Sequence, residues 1–441
     1  MKLVPSKKLN SAGIKTILRA LRARNYRLFF AGQSISLIGT WMTQTAMIWL
    51  VYHLTNSALL LGVVGFANQI PNFILTPVAG VLVERWSRHR TLIITQALAM
   101  AQSLALAVLA ITGIINIWHI IFLSIFQGLI NAFDMPARQA FVVEIVDKRA
   151  DLSNAIALNS SIFSGARLVG PAIAGLLIAG VGTSLCFLID GLSYIAVITA
   201  LLAMNITPKL IASSSTTNNI WQRLKEGFIY AFGFPPIRAI LLLIALVSFM
   251  GMPYTVLAPI FATQILHGGP ETLGFLMAAS GLGALCGGIY LSSRQSIIGL
   301  GKLLAAAPTA FGIGLIVFSL SNILWLSLLA LFMIGFSLIL QVASSNTILQ
   351  TIVDEDKRGR VMSFYTMSFI GMVTFGNLLA GGLASKIGAP NTLVMGGLFC
   401  ILGSIIFIKQ LPSLRQFIRP IYERIGVLSE AESRIGAGFN N

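Results

Sequence analysis

The sequence predicts an all-α membrane protein with twelve transmembrane helices in two six-helix, pseudo-symmetric halves. Three observations lead there. Apolar residues make up 56% of the 441 residues and charged residues 10%, against roughly 25% charged in a soluble domain. The apolar residues fall in blocks close to the ~20 residues that cross a bilayer as a helix. The basic residues fall almost entirely between alternate blocks. Strands of a membrane barrel would alternate apolar and polar over about ten residues. These blocks do not alternate, and only helices or closed barrels satisfy the backbone in lipid.

In chain order, residues 1–25 form a basic tail. The first six spans, in a half covering 26–206, are Tyr26–His53, Ala58–Val83, Thr91–Gly113, Ile117–Asp134, Ser153–Ala179 and Ser184–Met204. Residues 207–236 are a polar linker with the run Ser213 to Asn219 and a short amphipathic piece, Ile220–Phe232. Such composition reads as a flexible connection. The second half, 237–410, holds Ile237–Gln264, Thr272–Ser292, Gly301–Ser319, Ile323–Val342, Val361–Lys386 and Asn391–Lys409, and a tail follows at 411–441. The first apolar block is far longer than a signal-peptide core, so no cleavage is expected.

Orientation follows from Lys and Arg, which gather on the cytoplasmic side. With the N-terminus inside, 28 of the 30 basic residues are cytoplasmic, Arg138 among them; the exceptions are Arg167, within a span, and Lys386, outside. The expected location is the inner (plasma) membrane, multi-pass, with both termini cytoplasmic. The net charge of +16 then faces the inner leaflet, and nucleic acid is not an expected partner.

The halves repeat. Gly165, Gly170, Ala174 and Gly175 recur 206 residues later as Gly371, Gly376, Ala380 and Gly381. Small residues at such spacings let helices approach closely. The loop after the second span reads Gly80-Val-Leu-Val-Glu84-Arg85-Trp-Ser-Arg88-His-Arg90, and the fifth span contains Arg167-Leu-Val-Gly170-Pro171-Ala-Ile-Ala-Gly175. A Gly-Pro pair frees a backbone bond and permits a bend.

These segments resemble the cytoplasmic-loop signature and the antiporter motif of the major facilitator superfamily. Glu84 stands where aspartate is usual, Ser87 replaces a glycine, and alanine takes two glycine positions of the antiporter motif. The runs Asp134 to Phe141, Asn154 to Ser160 and Lys357 to Ser363 resemble the branch holding enterobactin-exporter-like and macrolide-efflux-like drug:proton antiporters. The resemblance spans Leu21 to about Pro412. It implies that Gly80, Glu84, Arg85, Arg88 and Arg90 form a gate on the cytoplasmic side, and that the bend at Gly170, Pro171 and Gly175 marks export. Drug antiporters of this kind often carry an arginine three residues before a Gln-Gly pair. Gln127-Gly128 is present, but Ser124 holds that place, so a proton route through that arginine does not carry over.

Three charges fall in or beside spans. Arg167 lies about 21 Å from the cytoplasmic end of its span and Asp190 roughly 9 Å from the outer end of the next, similar depths in a ~30 Å core. The two are expected to pair or to share a water-filled cavity, with Asp190 as the proton-coupling carboxylate; a static ion pair is the alternative. Asp134, at a helix end, is the second candidate for proton coupling, or a gate contact. Polar residues form stripes: Gln33, Ser36, Thr40 and Gln44; Asn68, Asn72 and Thr76; Gln127, Asn131 and Asp134; Ser363, Thr366 and Asn377. Lipid does not hydrate them, so they face the bundle interior, lining a cavity or bonding helix to helix. Their neutrality points to a large, mostly uncharged or amphipathic cargo.

No enzyme constellation, cofactor motif or metal cluster is visible. His53, His89, His119 and His267 are scattered, and Cys186, Cys286 and Cys400 sit apart in apolar blocks. Gly281, Gly283, Gly287 and Gly288 lie in a span and read as helix packing. The expected function is secondary active export of a small molecule by alternating access with proton antiport. The cargo would be a siderophore, another secreted metabolite or a hydrophobic drug. The alternatives are a gradient-driven importer and a non-transporting receptor on the same scaffold. The expected partners are the lipid bilayer, the small-molecule cargo and the proton, with the chain a monomer.

Overall fold

The computed structural model describes residues 19–146, 148, 151–205, 220–294 and 297–424. The start of the basic tail, the Ser213 to Asn219 run and the residues after 424 lie outside these. The first half consists of α1 (Arg24–Thr55), α2 (Ala58–Arg85), α3 (Arg88–Ile111), α4 (Ile117–Ile145), α5 (Leu152–Val181) and α6 (Thr183–Leu202). After α7 (Ile220–Gly233) come α8 (Pro235–Met250), α9 (Tyr254–Ile260), α10 (Pro270–Ser293), α11 (Leu300–Leu320) and α12 (Leu324–Ile352). The last described helices are α13 (Glu355–Thr366), α14 (Met372–Ile387) and α15 (Ala389–Arg424). No strand occurs among the described residues.

Among the described residues, eleven segments are long and apolar enough to cross a bilayer, counting α8 with α9 and α13 with α14 as single passes. The expected first span, α1, is not among them, because its many polar residues dilute its apolar content. It nevertheless packs along α6 through Gly32 and Gly39 and on α5 through Trp41.

Several helices run past their expected ends at the basic side. α4 continues through Pro136 to Ile145, so Arg138 is helical and not a loop residue as expected. Loss of one backbone bond at a proline is outweighed where neighbouring helices hold both flanks. α15 reaches Arg424, about 54 Å at 1.5 Å per residue. Its extension buries Leu414 and sets Phe417 edge-on to Phe234. Asp354 gathers three segments there: the Tyr230 hydroxyl of α7 donates to it at 3.5 Å, and Lys357 and Arg424 pair with it at 3.9 and 3.6 Å.

The first half has continuous helices. In the second half the seventh pass is interrupted at 251–253 and carries a π-turn at Phe261–Ile265, and the eleventh carries one at Met367–Gly371.

Across the two halves, glycines do the packing that the repeat predicts. A Cβ on Gly175 (α5) would lie 2.9 Å from Cα of Gly274 (α10). The equivalent contact joins Gly381 (α14) to Gly62 (α2). Gly283 and Gly287 press on α12 at Phe332 and Phe336, as expected of packing glycines.

The core places the functional region. One apolar cluster contains residues of both halves, such as Met42, Leu50, Leu61 and Phe187 with Tyr254, Phe261, Phe311 and Leu331. Towards the basic end the core splits. Tyr26, Phe29, Leu92, Phe141 and Leu201 form one cluster in the first half. Ile240, Leu304, Ile348, Leu349 and Leu414 form another in the second. The halves are therefore fused at one end and parted at the basic end, with a cleft between.

Candidate transport pathway

The cleft takes its polar groups from α1, α4 and α13. Thr40 and Gln44, one turn apart on α1, are exposed, as is Thr366 on α13. Gln127 and Asn131 are half-buried, and the Gln127 amide donates to Asn131 Oδ1 at 3.1 Å. Asn68 is half-buried where its carbonyl meets Gly128. Asn72 is buried and accepts from Thr76 at 2.8 Å. Asn377 is buried beside Gly65, between α2 and α14, and so serves helix packing more than a cavity wall.

Asp134 sits in a closed network at the basic end, 6% exposed. Arg138, one turn on, pairs with its Oδ2 at 2.5 Å, and Thr95 and Gln96 of α3 donate to Oδ1 at 2.9 and 2.7 Å. Arg138 also donates to Gln33 of α1 at 2.7 Å. Gln33 is thus part of this network and buried, not free on a cavity surface. Asp134 ties α4 to α3, and Arg138 carries the network on to Gln33 of α1. The four-residue spacing of Asp134 and Arg138 was legible in the sequence; Thr95 and Gln96 were not.

α4 and α12 are both 29-residue helices. At the positions of Asp134 and Arg138, α12 has Gln341 and Ser345, both buried, and neither amide atom of Gln341 has a partner among the described residues. The charged pair has a neutral counterpart.

Asp190 is 2% exposed, and Ser103 of α3 donates to its Oδ2 at 2.7 Å. Thr40 and Thr43 of α1 lie beside it. Its Oδ1, also buried, has no hydrogen-bond partner among the described residues. The expected pair with Arg167 does not form: Arg167 makes none of the described ion pairs. The reason is α1, which stands between them. Asp190 abuts Gly39 on one side of α1, where an added Cβ would lie 2.8 Å from Oδ1, while α5 packs by Gly170 on Trp41 and Ile38 from another. Consecutive spans are not neighbours at this level. Arg167 instead lies over the Trp41 ring, its Cζ 5.7 Å from the centroid.

The segment expected as a loop is mostly helix: Gly80, inside α2, is open and Arg90, in the first turn of α3, is exposed. Arg88 pairs with Glu144 at 3.6 Å, and Ser87 caps α3. The side chains of Glu84 and Arg85 lie outside those described. None of the described ion pairs crosses between the halves at this end. α5 stays helical through Pro171, and Gly170 and Gly175 serve its contacts with α1 and α10. No group of His, Cys, Asp and Glu among the described residues could hold a metal ion.

Two helical halves that repeat one another, fused at one end and parted at the other around polar in-membrane groups, define a transporter of the major facilitator type and not an enzyme. The chain belongs to the transmembrane secretion effector family, whose model matches residues 15–418. It is 25% identical over 382 residues to the staphyloferrin A transporter of Staphylococcus aureus, covering 86% of this chain and 95% of that one. It is 25% identical over 393 residues to macrolide efflux protein A of Streptococcus pyogenes, with 87% and 96% covered. Among solved structures it resembles a POT family transporter bound to a thioalcohol-conjugated peptide. The TM-score is 0.70 at 10% identity, over 90% of this chain and 99% of that one.

Proposed function

We propose that this transporter exports a small molecule by alternating access, driven by proton entry. The observation that carries the reading is the divided core: one shared apolar cluster at the far end and two separate clusters at the basic end. By the distribution of Lys and Arg the basic end is cytoplasmic. The described state then has its cleft open to the cytoplasm, where an exporter takes up cargo. Both termini lie on that side of the inner membrane, and the chain works as a monomer.

The cargo class is a siderophore or other secreted metabolite, or a hydrophobic drug. Its support is the named cargo of the relatives and the neutral cleft residues Thr40, Gln44, Gln127, Asn131 and Thr366. Asp190 is the coupling carboxylate. A proton on its free Oδ1 removes a charge that no described cation neutralises, and Thr40 links it to the cleft wall. Asp134 and Arg138 hold the first half rigid as it rocks. The Gly80–Arg90 segment, with Glu84, Arg85 and Arg88, closes the basic end in the opposite state.

Cells without their own drug pumps, expressing this chain, are expected to retain less ethidium than vector controls, and a protonophore should abolish the difference. Spin labels at Ser161 and Ser292, both exposed at the basic side of α5 and α10, should show two distance populations. A single distance under every gradient, cargo and pH would overturn alternating access.

A further inference from the structure

Arg167 occupies an unusual place. It stands near the middle of α5, where a charge is expensive and functional by default. It is only half-buried, and no described carboxylate pairs with it. The two other in-membrane charges of this half that face inward, Asp134 and Asp190, are buried in networks of their own.

Its direction follows from the helix. Ser160, Ser164, Arg167 and Pro171 succeed one another at four, three and four residues, and so share a face. The exposed apolar residues Val169, Ile173 and Leu176 lie on a different face, which suits lipid. Gly170 packs on α1, and the Arg167 carbonyl meets α10 at Gly281. With α1 and α10 flanking it, the polar face opens on the cleft. There the guanidinium lies over Trp41, and Phe163 meets the same indole edge-on at 5.5 Å.

We propose that Arg167, Trp41 and Phe163 form a cargo subsite selective for organic anions. A carboxylate of the cargo pairs with the Arg167 guanidinium, and its aromatic or apolar body packs on Trp41 and Phe163. The planar guanidinium matches a carboxylate with two parallel hydrogen bonds, and it stacks on an indole at the same time. The subsite deepens the export reading, on which it rests, by naming the charge class of the cargo.

The test is a fluorescence titration of the full chain in lipid nanodiscs. The probes are 1-pyrenebutyrate and 1-pyrenemethylammonium, which share an aromatic body and differ in charge. The wild type is expected to bind the anion roughly tenfold more tightly than the cation, the factor one charge-assisted contact supplies. Arg167→Gln should erase that preference while still binding the cation. Arg167→Lys should keep part of it, and Trp41→Ala should weaken both probes. Equal affinities in the wild type, or an anion preference unchanged in Arg167→Gln, would overturn the subsite. Should Arg167→Gln bind neither probe, Arg167→Lys decides: retained preference supports the subsite, and lost preference with cation binding intact overturns it. Ethidium efflux separates the two readings. Efflux by the wild type with no anion preference sinks the subsite alone, and anion-selective binding without efflux of any probe sinks the transport reading.

Discussion

A Cβ placed on Gly381 would lie 2.8 Å from Cα of Gly62, so α14 and α2 meet backbone to backbone at the end where the halves are fused. The first-half helix α5 makes the equivalent contact with α10 through Gly175 and Gly274. If the halves rock as proposed, these two contacts are the pivot expected of them. Gly381→Leu should wedge the fused end apart at a cost of about 1–3 kcal/mol, and ethidium efflux should fall more than about tenfold, the factor of 1.4 kcal/mol. Gly382→Leu, next in sequence but with open space around it, should export normally. Equal efflux from the two variants would remove the glycine contact from the mechanism.

Asp190→Asn preserves the size of the side chain and its bond from Ser103. The variant should insert and fold like the wild type. In proteoliposomes it should still exchange labelled cargo across the membrane at equilibrium, but a pH gradient should no longer drive accumulation. Gradient-driven accumulation at the wild-type rate would take Asp190 out of the coupling step.

Arg138→Gln leaves the Asp134 carboxylate buried without its cation. Breaking one partner of a fully buried pair costs about 3–5 kcal/mol, and the 30% exposure of Arg138 lowers the cost here. The melting temperature in detergent should fall accordingly, and the double variant Asp134→Asn with Arg138→Gln should recover much of the loss. A double variant as unstable as the single one would mean that the pair is not coupled in stability.

Asp354 draws α7 and the end of α15 onto α13 through exposed contacts. Exposed pairs are each worth about 0.2–1 kcal/mol. Asp354→Ala should therefore leave the melting temperature nearly unchanged, yet speed amide exchange in 226–233 and 414–424 several-fold. Unaltered exchange in both segments would show that the apolar contacts, such as Phe234 with Phe417, suffice.

The fold was legible because the bilayer imposes length and charge rules on every segment separately. Span positions and the glycine repeat need only the sequence's own periodicity. Neighbour relations do not follow from those rules. Asp190 and Arg167 were expected at similar depths, but α1 stands between them, and which helix stands between two others is set by packing across the whole bundle. Arg138 was misplaced for a local reason: Pro136 reads as a stop, whereas neighbouring helices hold α4 together past it. Gln33 and Asn377 were expected on a cavity wall, yet each is buried against a neighbouring helix. The pairing of Trp41 with Arg167 left no sequence signal, because the two are 126 residues apart in the chain.

The breaks and π-turns of the seventh and eleventh passes both fall in the half whose counterpart of the Asp134–Arg138 pair is the neutral Gln341 and Ser345. Interrupted helices yield easily, because local backbone bonds are already rearranged there. In the first half the buried Asp134 and the half-buried Arg138 brace α4 on α3 and α1 against such deformation. The two halves, alike in outline, should therefore differ in stiffness. When the molecule changes state, the first half should travel as a block, and the adjustments of helix shape should concentrate near residues 251–265 and 367–371.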